Sequence, residues 1–449
     1  MTLDYDNEKP KGSRRYGIAL ITVLLLMLVI SVFIYAVTEA GDYYFGQRSL
    51  FISISISMLM FFLLFLILRY FFLLWFSFVQ HIESVSEPDD VGWEPWVSII
   101  VPSYNEERVI ERSIRSLLDQ QYRNFEVIVI DDGSTDNTSK VAQKLEGNYG
   151  RTDVRVIRQP NRGKAAALNM GISVARGEFV LNVDADSNLH PLTIRKMVRH
   201  FRDPRVASVA GNVKVRNRVN LWTRLQALEY IEGLNMVRQA QGFFRSVNIV
   251  PGPIGMFRKS VILEVGGYES DTFAEDADLT LKIVTAGYHI RYEPGAISYT
   301  EAPENLQQLL KQRYRWTRGI LQSMKKRPED FLQPWKNLTT FAILWYMIFE
   351  AILWPAMNIF ANVFLISMNV AYGFMGLLLF WFIQLTVLDV VAAIHCVAVE
   401  EEDLKLVPYA VVYRIFFVLV IDVCKVFATL EEVAGVKMGW GKLVRTGTE

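Results

Sequence analysis

Cysteine is nearly absent. The chain has two, Cys396 and Cys424, in 449 residues, and both lie inside apolar stretches. That excludes a disulfide framework and a cysteine-built zinc site. The five histidines are scattered, with no pair at metal-ligand spacing. Net charge is absent as well: 47 Lys and Arg balance 47 Asp and Glu. No basic footprint for a nucleic acid follows, and no nucleic-acid partner is expected. The stretch "NRGKAAALN" (Asn161–Asn169) lacks the G-x-x-x-x-G-K-[ST] spacing, which excludes a P-loop NTPase. A nucleotide-driven transporter would need that loop and more membrane spans. Internal repeats and low-complexity linkers are missing too.

What the chain does have is apolar sequence at its two ends. Tyr16–Val37 and Leu50–Val79 are long enough to cross a hydrocarbon core, which takes roughly 20 helical residues. Leu338–Ile366, Phe374–Val399 and Tyr409–Leu430 have the same character near the other end. The first run is longer than the ~7–15 apolar residues of a signal peptide, and a second follows closely. Lys9, Lys11, Arg14 and Arg15 precede it, which places the N-terminus in the cytoplasm. Two spans then return the chain to the same side. Tyr409–Leu430 carries Arg414, Asp422 and Lys425, so two readings stand for it: an interfacial helix, or a span packed against its neighbours. Lys437, Lys442 and Arg445 favour a cytoplasmic tail, whereas three C-terminal spans would put that tail outside.

Three regions result: residues 1–93 with two membrane helices, a water-soluble domain at 94–330, and a membrane region at 331–449. In the middle region Val97–Val101, Phe125–Ile130, Val154–Ile157 and Glu178–Val183 read as buried strands. Arg108–Gln120, Asp136–Leu145 and Lys164–Ala175 have helical spacing. The alternation predicts an α/β fold with a mainly parallel sheet, whose ligands bind beyond the carboxyl ends of its strands.

Those ends are acidic. The first strand runs into "VPSYNEE" (Val101–Glu107), the second into "DDGSTDNT" (Asp131–Thr138) and the fourth into "NVDADSN" (Asn182–Asn188). One crevice then receives Glu106, Asp131, Asp132, Asp184 and Asp186. Crowded carboxylates repel unless a cation or hydrogen-bond donors compensate them. Mg²⁺ or Mn²⁺ suits such a place, taking one or two carboxylates and completing its shell with phosphate oxygens and water. Lys164 opens a helix, where an anionic ligand is favoured. "AEDADLTLKI" puts Glu275 and Asp276 at another helix start. In "QRYRW" a helix would bring Gln312, Arg315 and Trp316 to one face. Arg315 offers fixed donors to phosphate oxygens, and an indole can lie against the apolar face of a pyranose.

The series DDGSTD, DAD, AED and QRYRW, in this order, resembles the processive, membrane-integrated family 2 glycosyltransferases, which include cellulose, hyaluronan and chitin synthases. Bacterial poly-β-1,6-N-acetylglucosamine synthases look most similar. The family's TED motif is Ala274-Glu275-Asp276 here, with alanine in place of threonine. The resemblance implies a cytoplasmic GT-A-type, Rossmann-like domain inserted between membrane helices at the plasma membrane. It implies that Pro102, Tyr104, Glu106, Asp132, Lys164, Asp184 and Asp186 bind a UDP-sugar, with Asp186 on the metal. Asp276 would be the catalytic base, needing no raised pKa, with Glu275 as its rival. Gln312, Arg315 and Trp316 would hold diphosphate and acceptor. Implied partners are a UDP-sugar, best UDP-N-acetylglucosamine, the growing polysaccharide, the lipid bilayer and a small accessory membrane subunit. Hyaluronan-, chitin- and glucan-type synthases remain open, as does a non-processive lipid-linked glycosyltransferase, though enzymes of that kind generally lack the QRYRW helix.

Overall fold

The computed structural model describes residues 22, 25–27, 29–34, 50–86 and 92–437. The basic N-terminal residues, most of the Tyr16–Val37 run, Lys442 and Arg445 lie outside the described residues.

Nine strands form one sheet: β1 (Val97–Ser103), β2 (Phe125–Asp131), β3 (Gly147–Asn148), β4 (Thr152–Arg158), β5 (Phe179–Asn182), β6 (Asn188–Leu189), β7 (Val206–Val215), β8 (Gly255–Arg258) and β9 (His289–Thr300), in the order β3-β4-β2-β1-β5-β8-β7-β9-β6. The central pairs β4–β2, β2–β1 and β1–β5 are parallel. Their near-continuous Val and Ile content is what strands covered on both faces require. The other half of the sheet departs from the parallel expectation. There β8 runs antiparallel to both β5 and β7. The chain leaves β7 into a helical excursion, Leu221–Phe243, and returns beside the strand it left. A parallel pairing would have needed a crossover over the sheet instead.

The helix Lys164–Val174 lies unusually tight on β1. A Cβ on Gly171 would meet Ile100 Cγ2 at 2.4 Å, so only glycine permits this approach. The close seat brings Lys164, the first residue of that helix, over the strand ends.

Among the described residues three helices are long and apolar enough to cross a membrane: Leu50–Ser84, Leu338–Tyr372 and Met375–Val399. These match three of the expected runs. The Tyr409–Leu430 run becomes Tyr409–Val412, a π-helical turn Tyr413–Phe417, and Val418–Val433. Its charges turn inward. Arg414 grips both oxygens of Asp389 at 2.6 Å, and Asp422 accepts from Asn358 at 2.7 Å. Packing against neighbours is therefore the reading of this segment that the structure favours, since lipid would leave those groups unsatisfied.

Polar ties fasten the soluble domain to the membrane helices. Ser77 donates to Gln239 at 3.0 Å, Arg291 pairs with Glu83 at 3.1 Å, and buried Lys214 pairs with Glu402 at 3.1 Å.

Candidate active site

The register of the parallel strands sets the site. Ser103 pairs with Asp131, and Ile100 pairs with Asn182, so β1, β2 and β5 end side by side. The loops beyond them hold one another. Asn105, at φ +54°, accepts from the backbone N–H of Thr135 at 2.7 Å, and its own N–H donates to Ser134 Oγ at 2.9 Å. The Thr138 hydroxyl accepts from the Glu106 N–H at 2.6 Å. Asp131 accepts from the Ser134 N–H at 3.0 Å and pairs with Arg158 at 3.3 Å. Asp132 accepts from Gln159 at 2.7 Å and from the N–H groups of Arg162 and Gly163 at 2.9 and 2.8 Å. This carboxylate thus anchors the loop that leads into Lys164. Tyr104 stands exposed at the rim, and Pro102 is half-buried behind it.

Lys164 joins the donor-side acids to the second acidic motif. Its Nζ lies 2.7 Å from Asp184 Oδ1 and 3.0 Å from Glu275 Oε1. Burial pulls this ammonium down, but Asp184, Glu275 and Asp276 outweigh burial and hold it above its ordinary value. Glu275 is thereby committed to a cation. Asp276 is not: its Oδ2 accepts weakly from the Gly252 N–H at 3.3 Å, and its Oδ1 from the Ala277 N–H at 2.8 Å. Burial, reinforced by the Glu275 charge and opposed by Lys164, raises the Asp276 carboxyl to about 6. A proton acceptor in this range is better matched to neutral-pH base chemistry than one near 4.

The helix Leu306–Lys325 carries Gln312, Arg315 and Trp316 and abuts the Asp276 segment directly. At Gly319 any Cβ would lie 2.5 Å from the Ala274 backbone nitrogen and 2.6 Å from the Ala274 Cβ. The missing side chain lets the two motifs touch. Thr272 fastens the contact, donating to the Gly319 carbonyl at 3.0 Å. Trp316 is half-buried, and its indole is not a bare platform. The Arg313 guanidinium lies 4.2 Å from its centroid, and the Tyr230 ring stands 6.5 Å away. Arg313 is itself held by Glu229, with one contact at 3.1 Å, and it donates to buried Gln312. Gln312 thus fixes the helix face from within. Arg315 stays half-exposed beside it.

The donor set suits a hard divalent ion that completes its shell with a ligand. Among the described residues no three His, Cys, Asp or Glu side chains converge as a self-sufficient metal cage. Asp184 is engaged by Lys164, which leaves buried Asp186 as the better-placed carboxylate. One or two protein carboxylates with phosphate and water are the usual Mg²⁺ arrangement.

Residues 98–266 match the family model described as glycosyl transferase family 2. The match covers the first part of the central domain and is a likeness to that family. The poly-β-1,6-N-acetyl-D-glucosamine synthase of Staphylococcus aureus strain COL is 33% identical over 250 residues, covering 55% of this chain and 60% of that protein. The synthase of the same name from Staphylococcus epidermidis is 31% identical over 258 residues, covering 57% and 61%. The chain therefore spans about 60% of the length of these curated relatives. In shape it resembles a mannosyltransferase from Pyrobaculum calidifontis, solved with GDP-mannose and Mn²⁺. The TM-score is 0.58 at 21% identity, over 84% of this chain and 99% of that one. That likeness speaks to the fold.

Sequence reasoning does not single out Glu229, Tyr230, Arg313 or Gly319. The lone signal for Arg313 is that it lies inside the QRYRW motif. Glu229 lies 84 residues upstream of Arg313, with Tyr230 next to it, in a stretch with no motif of its own.

Proposed function

We propose that the chain is a processive, inverting β-glycosyltransferase that polymerises a sugar from a UDP-sugar. UDP-N-acetylglucosamine is the donor read from the staphylococcal relatives. Asp132, Lys164 and Asp184 serve the nucleotide side, with Tyr104, Glu106 and Pro102 at its rim. Bound Mg²⁺ or Mn²⁺ would be held through Asp186 and would neutralise the diphosphate. An acceptor hydroxyl gives its proton to Asp276, and its oxygen attacks the anomeric carbon. The bond to UDP breaks on the opposite face, and its electron pair leaves with the nucleotide. One displacement turns an α-linked donor into a β-linked product.

The observation that carries this reading is the Gly319–Ala274 contact. It sets the base and the Trp316 helix edge to edge, where an acceptor chain end can meet both. Export through the membrane helices, a cytoplasmic catalytic domain and a small accessory membrane subunit complete the proposal.

The experiment is incubation of the full chain in lipid nanodiscs with single UDP-sugars, measuring UDP release and polymer. UDP-N-acetylglucosamine should yield polymer, and a chelator should abolish it until Mg²⁺ or Mn²⁺ is restored. Polymer from UDP-glucose alone replaces the donor and leaves the mechanism. Transfer of a single sugar to a lipid carrier, with no polymer, removes processivity.

A further inference from the structure

Glu275 and Asp276 open a helix whose start has no side-chain cap. Its N-cap is Ala274, which offers neither a hydroxyl nor a carboxylate to the first turn. The start is fixed from elsewhere. Thr272 accepts from the Ala274 N–H at 3.2 Å and donates to the Gly319 carbonyl at 3.0 Å. One residue on, the Phe273 N–H donates to Gln322 Oε1 at 3.2 Å. Both ties lead to the helix Leu306–Lys325.

The second tie continues past that helix. Gln322 Nε2 donates to Glu432 Oε2 at 3.1 Å, 110 residues further along the chain. Glu432 is buried in the last turn of the helix Val418–Val433. Arg318 Nε reaches the same oxygen at 2.8 Å, and Lys325 Nζ reaches Oε1 at 2.9 Å. An acid at this end of a helix meets the negative pole of the dipole, so its place is unfavourable in itself. The three side chains that offset this cost, Arg318, Gln322 and Lys325, all belong to the helix Leu306–Lys325.

The polarity of this chain of bonds is fixed. A backbone N–H needs an oxygen, and a carboxylate flanked by two cations can only accept. An amide between them must turn its oxygen to Phe273 and its nitrogen to Glu432, which is how Gln322 lies. A carboxylate in its place would face Glu432 with no proton to give. Phe273 precedes Asp276 by three residues, so what moves Phe273 moves that carboxyl. The direct contacts of Asp276 are two backbone N–H groups, one of them at 3.3 Å, which leaves its placement to the segment that carries it.

We propose that Gln322 and Glu432 are positioning residues, which register Asp276 against the helix Val418–Val433 through the Phe273 N–H. This rests on the reading of Asp276 as the base. The base is then held twice: to the acceptor helix at Gly319, and through Gln322 to the C-terminal membrane region at Glu432. A general base must lie within hydrogen-bond reach of the proton it takes, so the second tie acts on turnover and not on the nucleotide.

The test uses the full chain in nanodiscs with UDP-N-acetylglucosamine and measures UDP release, UDP affinity and Tm. Gln322→Ala, Gln322→Glu, Glu432→Gln and the double variant Gln322→Glu/Glu432→Gln are compared, with Asp276→Asn as reference. Gln322→Ala should lower turnover by ~10- to 10²-fold, the scale of a base displaced by up to about 1 Å. UDP affinity should stay within about twofold, a split that a structural role would not produce. Gln322→Glu sets two carboxylates against each other and should lose as much. In the double variant the roles exchange. The carboxylate on the acceptor helix then accepts from both Phe273 and the amide opposite, so turnover should recover above either single variant. A double variant no better than Gln322→Glu overturns the proposal, as does full turnover from Gln322→Ala. Parallel loss of turnover and UDP affinity makes the pair structural and overturns it too, as does failure of Gln322→Ala and the double variant to fold. If the unaltered protein releases UDP from no UDP-sugar, or Asp276→Asn keeps full turnover, the reading of Asp276 as the base has failed. If Asp276→Asn loses turnover and Gln322→Ala does not, this inference alone has failed.

Discussion

The donor side and the acceptor side of the cleft are built differently. On the proposed donor side, loops 30 or 31 residues apart are pinned by backbone N–H groups that donate to the Asn105 and Asp132 side chains. On the acceptor side the ties are long-range and ionic. Arg313 reaches Glu229 across 84 residues, and Arg318 reaches Glu432 at 2.8 Å across 114. Backbone donors cannot change rotamer, so these loops keep one shape, as the proposed nucleotide pocket would need. Side-chain pairs on packed helices can shift by small steps, which would suit the proposed acceptor surface.

The largest expected effect breaks the chemistry and spares both sides. Asp276→Asn should retain folding and UDP binding while turnover drops by ~10²–10⁴-fold. Glu275→Gln should be milder in turnover and should instead weaken UDP-sugar binding, because it releases Lys164. Equal losses in turnover from the two variants would show that the acids are not divided in this way.

Gly319→Ala tests the contact between the sides. Its Cβ must displace backbone at Ala274, and a misplacement of about 1 Å near reacting groups costs ~10²-fold in rate. UDP affinity should be unchanged. Normal turnover with Gly319→Ala would mean that the acceptor helix is not held to the base by this close seat.

Trp316→Ala should shorten the polymer with UDP affinity nearly intact, since the indole faces the acceptor helix's own neighbours and not the nucleotide loops. Chain-length distributions beside UDP titration decide it. A comparable loss of UDP affinity in a folded variant assigns Trp316 to the donor side.

The smallest effect is the pH profile. With the Asp276 carboxyl near 6, kcat/KM should fall below about pH 6, approaching tenfold per unit. For stability the sign is opposite. A carboxyl raised in the folded state favours folding fully below its ordinary value and loses that contribution as pH rises through about 6. Asp276→Asn should therefore raise Tm at pH 7.5, with the gain fading toward pH 4. A flat acid limb down to pH 5 would remove Asp276 from base duty.

Much of the donor side was legible before any coordinates. Buried strands announce themselves as Val- and Ile-rich runs, and β1, β2 and β5 end within a few residues of the expected positions. Carboxylates at strand ends follow by adjacency in the chain, so "DDGSTD" and "DAD" could be set in one crevice from order alone. The three long apolar helices were equally plain, because hydrophobic length is a local property. Direction in the second half of the sheet was not legible, since β8 pairs with strands on both sides according to how the Leu221–Phe243 excursion returns.

Pairing across long distances was also hidden. Nothing in "EYIEGLN" marks Glu229 as the partner of Arg313. Nothing in "QRYRW" tells that Arg313 would cover the indole. Hydrophobic period, helix starts and motif order are carried by neighbouring residues, and one-dimensional pattern suffices for them. The raised Asp276 carboxyl and the Lys164 bridge to Asp184 and Glu275 arise from which groups burial forces together. Their energies depend on distance and desolvation between segments far apart in the chain, and those exist once the helices have packed.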